Sequence, residues 1–213
     1  MFSGPDANVG IIEDHRLMLE FLRAVCRKCG KLVVVCECST GMEAVQNVPT
    51  SHADIILLDL SLPDIDGFQV ISRLRASGSF PKVIAISSHI GPYIVYKVES
   101  LGLNGYLDKM NATLGSLTAA LEAVLAGGRF LSAAYREAKA SVRSDNWAME
   151  RLLSPKQIEI LSLVSKFEDD AAIAQQLSIA PRTVETHRTT MMRKLNLHTR
   201  VDLIHFAKTQ GCI

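Results

Sequence analysis

Five short apolar runs, each cut off by polar residues and followed by a helical pattern, organise the first 125 residues. Asn8-Val9-Gly10-Ile11-Ile12 stops at Glu13-Asp14, and His15–Arg27 then carries Leu17, Phe21, Leu22 and Val25 at helical spacing. Leu32–Cys38 predicts a second strand and Gly41–Val48 a helix. Asp54-Ile55-Ile56-Leu57-Leu58 is apolar after its first residue and stops at Asp59; beyond the Pro63–Gly67 turn, Phe68, Val70, Ile71 and Leu74 mark a helix reaching Ala76. Val83–Ile86 is a fourth strand ending at Ser87-Ser88, a helix is expected over Pro92–Leu101, Gly105-Tyr106-Leu107 is a fifth strand, and Leu114–Leu125 a fifth helix. Strands this apolar have no face to give to water, so they predict a five-stranded parallel sheet covered by helices on both sides.

The pattern changes after Leu125. Ala126-Gly127-Gly128 breaks the helix, Phe130-Leu131-Ser132 can dock on one domain, Ala133–Val142 is a candidate linker helix, and Ser141–Met149 is polar with little periodicity. The expected organisation is a first domain over 1–127, a linker over 128–150 and a second domain over 151–213. From Leu152 the pattern is wholly helical. Ser154 is an N-cap with Pro155 at the first helical position, and that helix runs to about Ser165 with Ile158, Leu161 and Val164 inward. Asp169 can cap a second helix, Asp170–Gln176, which buries Ile173 and Leu177. Ser178-Ile179-Ala180 is a tight connection to a third helix, Pro181–Leu195; Asn196-Leu197-His198 interrupts, and Arg200–Lys208 is a fourth. Two short helices joined by three or four residues, the second one basic, make a helix-turn-helix.

Charge sharpens this division. The net charge of +1 over 213 residues hides 10 basic against 13 acidic side chains in residues 1–127 and 13 against 9 in residues 128–213. A basic second half points to a polyanionic partner. No apolar run reaches the roughly 18 residues of a membrane span. Met1-Phe2-Ser3-Gly4-Pro5-Asp6 lacks the basic stretch of an export signal, so no membrane partner and a cytoplasmic location are expected. Cys26, Cys29, Cys36, Cys38 and Cys212 are read as small, buried or half-buried thiols rather than a metal site.

A parallel sheet binds ligands at the carboxyl ends of its strands. Those ends carry Glu13 and Asp14, then Asp59, then Ser87, with Lys109 just beyond the fifth strand. Each alone is an ordinary loop or cap residue; all five, gathered at the matching ends of four strands, are not. Gathered carboxylates repel unless a cation sits among them, and an all-oxygen set suits a hard ion such as magnesium. A carboxylate there can attack a phosphoryl group while the metal and a lysine neutralise the transferred oxygens. Asp59, ending the most apolar strand, is the expected nucleophile. A backbone carbonyl near Ser61 can complete the metal shell, Ser87 can donate to a phosphoryl oxygen, and Lys109 can pair with another.

Ile12-Glu13-Asp14-His15, the run Leu58-Asp59-Leu60-Ser61-Leu62-Pro63-Asp64-Ile65-Asp66-Gly67 and Gly105-Tyr106-Leu107-Asp108-Lys109 resemble the flavodoxin-like receiver domain of two-component response regulators. The resemblance implies that a histidine kinase phosphorylates Asp59, that Mg2+ is held by Glu13, Asp14 and Asp59, and that Ser87 and Tyr106 form a switch pair. Departures are Leu62 in place of methionine, Ser88 after the switch hydroxyl, and the bulkier Leu103 and Asn104 before Gly105.

On the third helix of the second domain, Val184, Met191 and Leu195 fall on the packed side, with His187 at its border. Arg182, Glu185, Thr186, Thr189 and Arg193 fall on the other, flanked by Arg188, Thr190 and Lys194. Polar residues in the first turns of such a helix can reach major-groove base edges, and basic residues at its margins suit phosphates. Leu153-Ser154-Pro155, Glu159-Ile160-Leu161, Ile173-Ala174, Pro181–Arg188 and Met192-Arg193-Lys194-Leu195 resemble the LuxR-type helix-turn-helix, an all-α four-helix domain. Joined to a receiver, it resembles the NarL/FixJ response regulators. The resemblance implies that Glu185, Thr186 and Thr189 face bases, that Arg182, His187, Arg188, Arg193 and Lys194 contact or lie near phosphates of double-stranded promoter DNA, and that the last helix supplies a homodimer contact. Phe167 replaces a glycine, Glu168-Asp169-Asp170-Ala171-Ala172 adds negative charge and removes a lysine, and Ala180 replaces a serine cap, a loss of about 0.5–2 kcal/mol locally. Weaker or more dimer-dependent DNA binding is the expectation. A regulator that binds DNA independently of phosphorylation, or that acts mainly by protein contact, is the alternative, and a magnesium-dependent phosphatase a more distant one; the chain is expected not to act as an enzyme in its main role.

Overall fold

The computed structural model describes residues 3–144, 152–164, 166, 169–195, 197 and 199–209. Expectations resting on Phe167, Glu168, Asn196, His198, Cys212 and residues 145–150 lie outside them. The chain divides into two compact units, one of Met1–Ser88 and Val98–Tyr135, the other of His89–Lys97 and Arg136–Ile213.

The first unit is built on β1 (Ala7–Ile12), β2 (Leu32–Cys38), β3 (Ile55–Asp59), β4 (Lys82–Ser87), β5 (Gly105–Asp108) and β6 (Phe130–Leu131). All neighbours run parallel, in the order β2-β1-β3-β4-β5-β6. The helices are α1 (Arg16–Cys29), α2 (Gly41–Ser51), α3 (Gly67–Ala76), α4 (Pro92–Ser100), α5 (Leu114–Leu125) and α6 (Ala133–Ser144), with the residues of α4 and of α6 divided between the two units. Val9, Ile11, Ile55, Leu57, Ile84, Ile86 and Leu107 form a continuous apolar layer with Leu22 and Val25 of α1 and Leu117, Leu121 and Val124 of α5. Alternation sends Ile56 and Leu58, also buried, to the opposite face.

The sheet has one strand more than the five expected. Phe130 and Leu131 pair with Gly105 and Tyr106, so the sheet continues past Gly127 into the stretch expected as linker. Two residues are too few to show a period, and the stretch gave no strand signal of its own. Two of the departures before Gly105 have structural work: Leu103 is wholly buried, and the Asn104 side chain accepts the Val83 N–H at 2.9 Å, satisfying the start of β4.

Local caps fix the helix starts. Thr40 accepts from the Glu43 N–H, Asp66 from Gln69, and Thr113 from Ser116 in a reciprocal capping box. Asp64 adds a cap from a distance: its two carboxylate oxygens accept the N–H groups of Gly41 and Met42 at 2.7 and 2.8 Å. That places a negative charge on the N-terminus of α2. The α2 helix runs to Ser51, three residues past its expected end, because Pro49 falls inside the helix without stopping it.

The second unit holds α7 (Pro155–Val164), α8 (Asp170–Leu177), α9 (Pro181–Lys194) and α10 (Arg200–Thr209). Ser154 and Gln157 cap α7 reciprocally, at 3.3 and 3.0 Å. Asp169 caps α8 through the Ala172 N–H at 2.7 Å. Ile158, Leu161, Val164, Ile173, Val184, Met191, Leu195, Leu203 and Ala207 make the core; Leu177 is only half-buried. Ser178 takes a left-handed conformation at φ 53 to turn the chain between α8 and α9. Ala180 gives α9 no side-chain cap.

Candidate functional site

In the strand order, β1 and β3 lie side by side while the chain leaves them in opposite directions, β1 toward β2 and β3 toward β4. The crevice beyond their carboxyl ends is where a parallel sheet can take a ligand. Glu13 follows β1 and Asp59 ends β3, and the pairing of Ile12 with Leu58 holds those ends level. Gly67 lets the β3–α3 segment close over this point, since a Cβ there would lie 2.6 Å from the Asp59 carbonyl oxygen and 2.9 Å from Leu60 Cα.

Three of the strand-end side chains meet directly. Lys109 Nζ is 2.6 Å from Asp59 Oδ2 and 3.0 Å from Glu13 Oε1. The Glu13 and Asp59 side chains are almost wholly enclosed, and that of Lys109 is 10% exposed. The Ser61 N–H donates to Asp59 Oδ1 at 2.9 Å, so the backbone orients this carboxylate from the other side. Glu13 Oε2 lies 2.8 Å from Lys109 Nζ, yet no donor is aligned with it, and it is a buried oxygen without a hydrogen bond. Burial raises the Glu13 carboxyl above its ordinary value, Lys109 opposes that shift, and the Asp59 charge adds to it. Burial acts to lower the Lys109 ammonium, but its bonds to Asp59 and Glu13 outweigh burial and hold it above the ordinary lysine value.

One ligand atom each from Glu13, Asp14, His15 and Asp59 lies within 4.8 Å of the others. This carboxylate-rich group can hold a divalent metal ion, and the buried Glu13 oxygen that takes no hydrogen bond fits that use. His15 was not among the residues singled out from the sequence; its Nδ1 is 3.0 Å from Asp14 Oδ1 and 3.5 Å from Glu13 Oε1. Its place directly after two acidic residues was the available signal.

Ser87, at the end of β4, and Tyr106, on β5, are both buried. Their hydroxyls are hydrogen-bonded to each other, while burial drives the Tyr106 phenol up from its ordinary value. Against Tyr106 lies a residue that sequence patterning did not single out. Tyr135, in the first turn of α6, is wholly buried, with its ring centroid 5.1 Å from that of Tyr106 and the planes tilted by 39°. Its hydroxyl donates to Glu99 Oε1 at 2.9 Å.

In the second unit, α9 buries Val184 and Met191 and exposes Arg182, Glu185, Thr186, Thr189, Arg193 and Lys194, with His187 half-buried. The Thr186 hydroxyl donates to the Arg182 carbonyl at 2.8 Å, and Lys194 Nζ reaches Gln157 Oε1 at 3.2 Å. Arg188 is different. Its guanidinium grips Asp170 with NH2 at 2.8 Å and Nε at 3.2 Å, and Arg200 NH1 approaches the same carboxylate at 3.4 Å. The acidic stretch therefore does more than add charge: Asp169 starts α8, and Asp170 ties α8 to α9 and α10.

Comparisons with known proteins find relatives for both parts of the chain. Residues 9–122 match the response regulator receiver domain, and residues 151–207 match the bacterial regulatory proteins of the luxR family. The response regulator UvrY of Escherichia coli K12 is 29% identical over 96% of this chain and 94% of its own. The DNA-binding transcriptional activator EvgA of the same organism is 27% identical over 94% and 97%. Among solved structures, RcsB of Salmonella enterica serovar Typhimurium, bound to promoter rprA in the presence of the phosphomimetic BeF3-, superposes with a TM-score of 0.78 at 24% identity, over 95% of this chain and 98% of that one. Among the described residues no helix is long and apolar enough to cross a membrane. Proteins with this receiver hold a phosphoryl group transiently on an aspartate rather than turning over a substrate. The chain belongs to the response regulators that join a receiver domain to a LuxR-type helix-turn-helix, and it is a DNA-binding transcriptional regulator.

Proposed function

We propose that Asp59 is the phospho-acceptor for a histidine kinase and that its phosphorylation controls dimerisation and promoter binding. The observation that carries this reading is the Asp59 carboxylate held between the Lys109 ammonium and the Ser61 N–H at the crevice between β1 and β3. Magnesium, held by Glu13, Asp14, Asp59 and the Ser61 backbone carbonyl, supplies positive charge to the transferred oxygens when bound. An Asp59 oxygen attacks phosphorus, the P–N bond to the kinase histidine breaks with its electron pair going to nitrogen, and an acyl phosphate forms. Lys109 stays charged and neutralises a phosphoryl oxygen. Ser87 donates its hydroxyl proton in a hydrogen bond to another, and Tyr106 follows it. Leu17 and Met110, 82% and 78% exposed, flank the site residues in the chain and offer apolar contact to the kinase.

The regulated output is DNA. Glu185, Thr186 and Thr189 face base edges, and Arg182, His187, Arg193 and Lys194 lie at phosphates, with Arg188 joining them where DNA displaces Asp170. Exposed Val201 and His205 on α10 supply the contact between two copies, so that two recognition helices meet successive major-groove faces. These roles place the protein in the cytoplasm.

Acetyl phosphate with magnesium is expected to add one labile phosphate per chain, seen by intact mass, and Asp59→Asn to take none. Undiminished labelling of that variant refutes the acceptor assignment. Promoter affinity measured on both forms then tests control: equal affinities would leave a DNA-binding regulator that does not depend on phosphorylation.

A further inference from the structure

We propose that Tyr135 is a positioning residue for the Ser87–Tyr106 pair and passes the state of that pair into helix α6. The inference rests on the reading of Asp59 and Ser87 given above and extends it to a residue beyond the strand ends.

Two paths lead from Tyr106 to the first turn of α6. The side-chain path is the ring contact: both tyrosines are wholly buried, and their centroids lie 5.1 Å apart, within the range where tilted aromatic pairs attract. The two hydroxyls point to different partners. Tyr106 bonds Ser87, while Tyr135 bonds Glu99, a carboxylate that Arg129 also holds at 3.2 Å. Arg129 is itself fixed by its Nε bond to the Leu103 carbonyl at 3.0 Å. Tyr135 is thus anchored at its far end, and its ring face rests on Tyr106.

The main-chain path runs beside it. Tyr106 pairs with Leu131, and its carbonyl accepts the Ser132 N–H at 3.0 Å. The Ser132 hydroxyl in turn takes the Tyr135 N–H at 3.4 Å, in the manner of a helix N-cap. Both ends of the Tyr106 residue, ring and carbonyl, therefore terminate on the residues that start α6.

Drawing the Ser87 hydroxyl toward a phosphoryl oxygen takes a hydrogen bond from a buried phenol, and such a loss is costly. The Tyr106 ring must then tilt. Interiors are close-packed, so a wholly buried ring cannot tilt without moving the face it touches. Tyr135 responds either by following or by leaving Glu99, and in both cases the start of α6 changes. A core aromatic with no such role would affect stability alone.

Hydrogen exchange on the full chain separates these cases, with magnesium and beryllofluoride as the probe of the Asp59 site. In the unaltered chain the probe is expected to change exchange both around Asp59 and Ser87 and across residues 133–144. Tyr135→Leu, which keeps buried bulk, and Tyr135→Ala are expected to keep the response at the rim and lose it across 133–144; Tyr135→Phe, which keeps the ring, retains it. The proposal is overturned if 133–144 does not respond in the unaltered chain although the rim does, or if either ringless variant that folds transmits the response undiminished. Absence of the rim response in the unaltered chain, or its persistence in Asp59→Asn, instead overturns the reading of Asp59, and the relay falls with it.

Discussion

The carboxylate rim and the exposed face of α9 are both polar surfaces, and the proposed function brings phosphate to each, but they are made in opposite ways. At the rim, Glu13, Asp59 and Lys109 are nearly enclosed, and the ammonium lies 2.6 to 3.0 Å from both carboxylates. On α9, Arg182, Glu185, Thr186, Thr189 and Arg193 stand in water. A buried site must bring its own counter-charges, because an unpaired ion in the interior is expensive. A DNA-reading face must not, because the ligand brings them. Substitution at the rim therefore costs the fold as well as the chemistry, whereas substitution on the reading face costs binding alone. Arg188 crosses this division: it lies on the recognition helix but is paired with Asp170 as a rim residue would be.

The largest test of this contrast is Lys109→Met. Without the ammonium, two enclosed carboxylates face each other, and stability in denaturant should fall by about 3 kcal/mol in the absence of divalent cation. Millimolar magnesium should return much of it. Unchanged stability would show that one carboxylate is already neutral in the folded chain. Next is Ala180→Ser, which supplies the cap that α9 lacks; it should raise the stability of the second unit by about 1 kcal/mol, read in the same denaturation experiment. A loss would mean that the Ala180 backbone cannot direct a hydroxyl at the helix.

Acid gives a smaller effect. Although burial acts against it, acceptance of the Met42 and Gly41 N–H bonds holds the Asp64 carboxyl below the usual carboxylate range. A depressed folded value means a contribution present above the unfolded value, about 3.9, and lost as pH falls through the folded one. Asp64→Asn should flatten the acid limb of the stability curve, and an unaltered limb would remove Asp64 from that role. The smallest expected change in stability is for Thr186→Ala, within about 0.5 kcal/mol. Its discrimination between promoter and scrambled DNA should nevertheless drop by about 1–3 kcal/mol. A large stability change there, with specificity intact, would reverse the contrast between the two regions.

Much of the rim was legible because each of its residues sits at the end of an apolar run, and a parallel sheet brings such ends together. The helix starts at Ser154 and Asp169 were legible for a similar reason, since a cap acts within three residues of itself, and Pro181 marks the start of α9 by its own fixed φ. His15, Tyr135 and the Asp170 clamp were not. His15 lies beside the cluster in the chain, but its ring had to be placed before it could be counted. Asp170 read as surplus negative charge until α9 and α10 were packed beside it.

Periodicity, caps and breaks are properties of neighbouring residues, and on these the chain alone determined its five principal strands, the start of each principal helix and the family to which it belongs. Tertiary structure decided what pairs at long range: a two-residue strand finding β5, Asp64 reaching α2 across more than twenty residues, and Tyr135 resting on Tyr106. Such contacts depend on where whole elements come to lie, and no local pattern along the chain encodes that position.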